Sequence, residues 1–91
     1  MIIKFQNKKV AFSVQGKGTP VVLLHGFGAD SRMWDDFLTL FPRRKIVRID
    51  LPGFGQSELP ETLSMEKMAD AIKAVFDHLK IKRCVLIGHS M

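Results

Sequence analysis

Cys84-Val85-Leu86-Ile87-Gly88-His89-Ser90-Met91 joins a short apolar run to a glycine, with a serine two places later. Val, Leu and Ile in succession leave no polar face, which predicts a fully buried strand over residues 84–87. Gly88-His89-Ser90-Met91 then supplies the first four places of a G-x-S-x-G turn. In such a turn a strand bends sharply into a helix and lifts a serine hydroxyl off the end of the sheet. Glycine is expected at Gly88 because a larger side chain would collide across so tight a bend.

Two further apolar runs upstream also end in turn formers. Val21-Val22-Leu23-Leu24 leads into His25-Gly26-Phe27-Gly28, and Ile46-Val47-Arg48-Ile49 leads into Asp50-Leu51-Pro52-Gly53-Phe54-Gly55-Gln56-Ser57. A helix is predicted between them, capped by Ser31 with Asp30 beside it. Met33, Trp34, Phe37, Leu38 and Phe41 recur at helical spacing, and Pro42 ends the helix. A second helix is predicted from Ser64 as cap, with Glu66 in its first turn and Lys80 in its last. Its apolar stripe reads Met65, Met68, Ala69, Ile72, Val75, Phe76 and Leu79.

At the amino end, residues 2–6 and 10–15 predict an antiparallel hairpin, turning at Asn7-Lys8-Lys9, and residues 16–20 a flexible connection. The expected fold is α/β: a hairpin, then parallel strands with one helix on each face. Three loops, residues 25–28, 50–57 and 88–91, then fall at the carboxyl ends of three strands, where open parallel sheets bind ligands.

Ninety-one residues make one small domain, and 46% apolar with 25% charged residues is an ordinary globular balance. The single cysteine, Cys84, excludes an internal disulfide and a cysteine-built zinc cage, and reads as a small core residue. The net charge of +5 raises the question of nucleic acid. However, Arg43-Arg44-Lys45 and Lys80, Lys82 and Arg83 each follow a helix, where cations suit the negative end of the dipole. They read as a solvated rim, with no interleaved aromatics for stacking bases. No apolar run has membrane-spanning length and the start is too polar for a leader. The expectation is a cytoplasmic chain with neither nucleic acid nor membrane as partner.

Taken together, the His25-Gly26-Phe27-Gly28 segment with Trp34 after it, residues 50–57, and Gly88-His89-Ser90-Met91 resemble the α/β-hydrolase superfamily. The likeness is to its small esterase-like and C–C-bond hydrolases, and it covers essentially the whole chain. The resemblance implies that the third and fifth strands are neighbours, so that Phe27 and Met91 come to adjacent strand ends. It makes Ser90 the nucleophile and the backbone N–H groups of Phe27 and Met91 the oxyanion donors. Serine at this place argues against dehalogenases and epoxide hydrolases, which carry aspartate there. The family order of serine, acid, histidine puts both partners of Ser90 beyond residue 91. The resemblance therefore implies one partial domain over residues 1–91, cut after the serine turn and inactive alone. The parent would act on a small molecule without metal or organic cofactor.

The other residues of these loops read as structural. His25 holds its loop, His89 points away beneath the turn, and His78 lies on the surface. Asp50 caps the turn that begins at Leu51 rather than serving as triad acid. Gln56 and Ser57 are loop hydrogen-bonders, Gly26, Gly28, Gly53 and Gly55 are turn formers, and Trp34 anchors the core. Phe27 and Phe54 either line a substrate pocket or pack their own loops. Two other functions fit the same residues: an interaction piece that self-associates through an exposed edge of the last strand, or a ligand sensor on this fold.

Overall fold

The chain is described by a computed structural model over residues 1–26, 28–61 and 64–89. The apolar runs become strands in the expected places: β1 (Ile2–Phe5), β2 (Lys8–Gln15), β3 (Pro20–Leu24), β4 (Lys45–Ile49) and β5 (Val85–Gly88). Together they form a sheet in the order β1-β2-β4-β3-β5. β1 and β2 are an antiparallel hairpin, β2 pairs antiparallel with β4, and β3 pairs parallel with β4 on one side and β5 on the other. The third and fifth strands are thus neighbours. The hairpin turns at Gln6-Asn7, both in the left-handed region, so β2 begins at Lys8 rather than after Lys9. Asparagine tolerates that backbone better than the lysines after it.

Side chains alternate between two cores. Val10, Phe12, Val22, Leu24, Val47 and Ile49 face Met68, Ala71 and Val75 of α1 (Met65–Leu79). Val21, Leu23 and Ile46 face Trp34 of a 3-10 helix, Ser31–Leu40, on the opposite side. One helix therefore covers each face, as a doubly wound sheet requires. Among the described residues no helix is long and apolar enough to cross a membrane.

α1 starts at the expected cap: Ser64 Oγ accepts from the Lys67 N–H at 3.1 Å. It ends in a Schellman arrangement. Lys80, left-handed at φ 58°, bonds back to Asp77, and Ile81 N–H reaches the Phe76 carbonyl at 2.9 Å. The buried stripe is Met68, Ala71 and Val75, with Ile72, Phe76 and Leu79 beside it. Met65 is 58% exposed and Ala69 also faces solvent, both contrary to the stripe read from the sequence. Small Ala71, which that stripe omitted, is 0% exposed and packs in the first core.

The first helix departs further. It is a 3-10 helix, and its N-cap is Asp30, not Ser31: the Asp30 carboxylate accepts from the Arg32 N–H at 2.9 Å. Residues three apart eclipse in this geometry, which brings Trp34 and Phe37 edge to face at 6.0 Å.

β5 is the other correction. It was expected to be fully buried, yet Val85 and Leu86 are exposed, Leu86 by 54%. No described strand pairs its outer side, so apolar residues on this strand lack the second neighbour that central strands have. Cys84, just before it, is half-buried against the first core.

The corrected stripe is testable. Ala71→Leu should overfill the α1–sheet contact and destabilise by about 1–3 kcal/mol, whereas Ala69→Leu should change stability by no more than about 0.5 kcal/mol. Urea unfolding of the two variants distinguishes the positions.

Candidate active site

Parallel pairing sends the ends of β3, β4 and β5 to one edge. Leu24 is opposite Ile49 on one side and Gly88 on the other. The His89 N–H donates to the Leu24 carbonyl at 3.2 Å, extending the β3–β5 pairing one residue past Gly88. The chain therefore leaves the sheet toward Ser90 directly beside its departure toward Phe27. Ser90, Met91 and Phe27 themselves lie outside the described residues.

His25, the first residue after β3, is 0% exposed. Its Nε2 accepts the Leu51 N–H at 2.9 Å and its Nδ1 is 2.8 Å from the Gly26 carbonyl. A backbone N–H can only donate, so Nε2 is bare and Nδ1 carries the proton, which it gives to Gly26. Both nitrogens are spent on the backbone, and the Phe54 ring packs edge-on against the imidazole at 5.5 Å. The geometry suits a structural strut between two loops and leaves no free nitrogen for proton transfer. The Gly26 carbonyl also accepts from the Ala29 N–H at 3.2 Å, so both of its lone pairs are engaged.

Asp50, the first residue after β4, is buried. One carboxylate oxygen accepts the Ser31 N–H at 2.8 Å and the other the Gln56 N–H at 3.1 Å. It caps its own loop, as its sequence context predicts, and also ties that loop to the start of the 3-10 helix nineteen residues earlier. Turn chemistry around Asp50 signals the first bond, and nothing in the sequence signals the second. Buried Ser57 completes the network: its hydroxyl donates to the Asp50 carbonyl and accepts the Ala11 N–H at 2.8 Å, fastening the loop to β2. Glu58 continues it, accepting from the Lys9 N–H at 2.7 Å and donating its own N–H to the Lys9 carbonyl at 2.8 Å.

The glycines serve this network unequally. Gly55 has φ +53°, and a Cβ there would fall 2.5 Å from the Asp50 carboxyl carbon. Gly53 has φ +89° in the turn closed by Phe54 N–H to the Leu51 carbonyl. Gly28 has φ +80°, and a Cβ there would meet nothing within 4 Å among the described residues. At Gly88 a Cβ would meet nothing within 4 Å among the described residues, so the crowding expected there is not visible on the described side.

Trp34 sits in the second core, its indole N–H buried and without a hydrogen-bond partner among the described residues. Phe54 is half-buried against the first core and His25, a packing position. His89 is exposed rather than tucked beneath a turn, and His78 is exposed with its ring against Phe12. Among the described residues, no three His, Cys, Asp or Glu stand close enough to hold a metal ion.

Two consequences are measurable. Gly55→Ala should cost at least about 3 kcal/mol, combining left-handed strain with displacement of a charged hydrogen-bond acceptor, against about 1–2 kcal/mol for Gly28→Ala. Denaturant midpoints give the comparison. Secondly, the Arg32 side chain, helped by its N–H, holds the Asp30 carboxyl at about 2, below the ordinary 3.8. A carboxyl depressed on folding stabilises above its unfolded value and loses that contribution as pH falls through the folded one. Asp30→Asn keeps a cap acceptor without the charge, so its deficit relative to wild type should be full above pH 3.8 and vanish below about pH 2. Thermal unfolding across that range is the check.

Comparison with known proteins agrees with this architecture. The family model for the alpha/beta hydrolase fold matches residues 19–91. The chain is 37% identical over 83 residues to the dihydrolipoyllysine-residue acetyltransferase component of the acetoin cleaving system of Pseudomonas putida, covering 88% of this chain and 22% of that protein. It is 39% identical over 77 residues to the pimeloyl-[acyl-carrier protein] methyl ester esterase of Legionella pneumophila, covering 84% of this chain and 29% of the other. Among solved structures, Est816, described as an N-acyl homoserine lactone degrading enzyme, superposes with a TM-score of 0.92 at 30% identity. That match covers 99% of this chain and 36% of Est816. The chain thus spans about a third or less of the length of these relatives. With a family model matched over most of its length and the sheet order to go with it, the chain belongs to the alpha/beta hydrolase family.

Proposed function

We propose that these residues form the nucleophile and oxyanion side of a serine hydrolase acting on an ester-like bond. Ser90 is the nucleophile, and the N–H groups of Phe27 and Met91 receive the developing negative oxygen. The observation that carries this reading is the β3–β5 register. With Leu24 opposite Gly88 and the His89 N–H on the Leu24 carbonyl, the chain approaches Ser90 and Phe27 from adjacent strand ends. The methyl ester esterase and the lactone-degrading enzyme among the similar proteins fit carboxylic ester chemistry.

The chemistry is acyl transfer. Ser90 Oγ adds to the carbonyl carbon while a histidine takes its proton. The carbonyl oxygen becomes an oxyanion, the leaving alkoxide receives the proton, and water then releases the acyl group by the same sequence. His25 does not supply that histidine, because both nitrogens already bond backbone groups. His78 lies on α1, against Phe12. The family order of serine, acid and histidine assigns the general base and its carboxylate to positions after Ser90.

His25 has a different part. A peptide unit is planar, so a bond that fixes the carbonyl of Gly26 also fixes the direction of the next N–H. The Nδ1–H bond to the Gly26 carbonyl at 2.8 Å makes His25 a positioning residue for the Phe27 donor.

In the whole protein, Ser90→Ala should lower kcat on a p-nitrophenyl ester by at least about a thousandfold. His25→Ala should lower kcat by roughly a hundredfold, the cost of one misdirected oxyanion donor, with little change in KM. Undiminished turnover by Ser90→Ala would overturn the assignment.

A further inference from the structure

Half of the chain's fourteen Lys and Arg, and none of its nine Asp and Glu, lie in three loops or at the strand start that one of them reaches. Lys17 precedes β3. Arg43 and Arg44 lead into β4, whose first residue is Lys45, and Lys80, Lys82 and Arg83 lead into β5. The three strands run parallel, with Pro20 opposite Lys45 and Val21 opposite Val85. Their amino ends therefore share the edge of the sheet opposite His25 and Asp50, and the order β4-β3-β5 makes the three loops contiguous. Apart from these loops the chain carries seven cations against nine carboxylates, so its positive excess belongs wholly to this edge. Taken singly, the two longer clusters look like solvated helix ends. The fold adds Lys17 and brings all seven charges together.

The surface is built rather than loose. A Cβ on Gly16 would strike the Arg44 carbonyl oxygen, and one on Gly18 the Arg43 carbonyl oxygen. The Lys17 loop is thus pressed against the backbone of the next loop, and residues 16–20 are not the flexible connection their composition suggests. Among the described residues none of the seven cations pairs with a carboxylate; the ion pairs present join Arg32, Arg48 and Lys73 to other partners. All but Lys45 are exposed. Leu40 stands at the same edge, three residues before Arg43 and 66% exposed, and Val85 is exposed at the first position of β5. The nearest aromatic along the chain, Phe41, is turned into the second core and offers no face for a base.

We propose that this edge docks on an anionic lipid bilayer, with Leu40 entering the headgroup boundary. Contiguous unpaired cations are drawn by the negative surface potential of such a membrane, and an exposed apolar side chain among them adds a part that salt does not screen. A nucleic acid would use the cations but leave Leu40 idle. Docking by the amino edge turns the carboxyl edge, with its candidate site, away from the lipid.

The test is co-sedimentation of the whole protein with vesicles of phosphatidylcholine alone or of phosphatidylcholine with phosphatidylserine. Binding is expected to the second only, and to fall as salt rises. Arg44→Glu/Lys82→Glu/Arg83→Glu should weaken the partition by about tenfold or more. Leu40→Ser should weaken it several-fold without changing its salt dependence. Circular dichroism serves as the control for folding, and the wild-type comparison of the two vesicles stands without any variant. Equal partition onto both vesicles, no partition onto either, or tighter binding to duplex DNA or RNA than to the anionic vesicle at the same salt would each overturn the proposal.

Discussion

β3 is paired on both edges and covered on both faces, and everything at the candidate site is placed relative to its end. Val22 and Leu23 are completely buried, one facing each core. A strand so enclosed has no freedom to slip, because a one-residue shift would exchange its two apolar sets and misplace both helices. Its registers with β4 and β5 are consequently firm, and they bring His25, Asp50 and His89 to one edge. The same enclosure explains why polar side chains begin abruptly at His25: the first residue past the pairing must satisfy backbone groups that the sheet no longer does.

Beyond the strand ends, the loops are held by side chains bonding to backbone. His25 and Asp50 each join two loops, and Ser57 joins the second loop to β2. The loop after β3 is tied at its start by the His25 imidazole and again where the Asp50 carboxylate takes the Ser31 N–H. The cost appears as glycine. Gly55 is required because the carboxylate that serves as anchor occupies the volume of its missing side chain.

The strands, the β3–β5 neighbour relation and the two-sided covering were legible because continuous apolar runs and the family resemblance constrain them together. The α1 cap was legible because Ser64 is the one strong cap former immediately before the stripe. The features that were not legible depend on distances that no local pattern encodes. Ala71 rather than Ala69 faces the sheet, since alanine suits a close approach as well as it suits solvent. Asp30 rather than Ser31 is the cap: its carboxylate takes the Arg32 N–H, and Ser31 is the first residue of the helix, with its own N–H on Asp50 nineteen residues away. The burial of β5 was overstated because apolar content reports what a strand prefers, while burial requires a neighbour on its outer side. The loop roles of His25, Asp50 and Ser57 were readable in kind, but not their partners.

The two edges of the sheet solve opposite problems with the same topology. At the carboxyl edge, strands end in glycine-rich turns whose amides need acceptors, and buried His25, Asp50 and Ser57 supply them. Charge there is spent internally: both Asp50 oxygens take backbone N–H groups, and Asp30 holds Arg32. At the amino edge, β4 and β5 begin after helices whose terminal carbonyls favour cations, and Arg43 and Lys80 even adopt the left-handed backbone of a chain reversing direction. Parallel strands impose this asymmetry, because every crossover delivers a helix end to one edge and takes a helix start from the other. A cation that is merely tolerated at one helix end becomes part of a field when three loops are set side by side, each a strand spacing from the next. The positive edge is therefore a property of the sheet order and not of any one loop. It would disperse if β3 did not lie between β4 and β5.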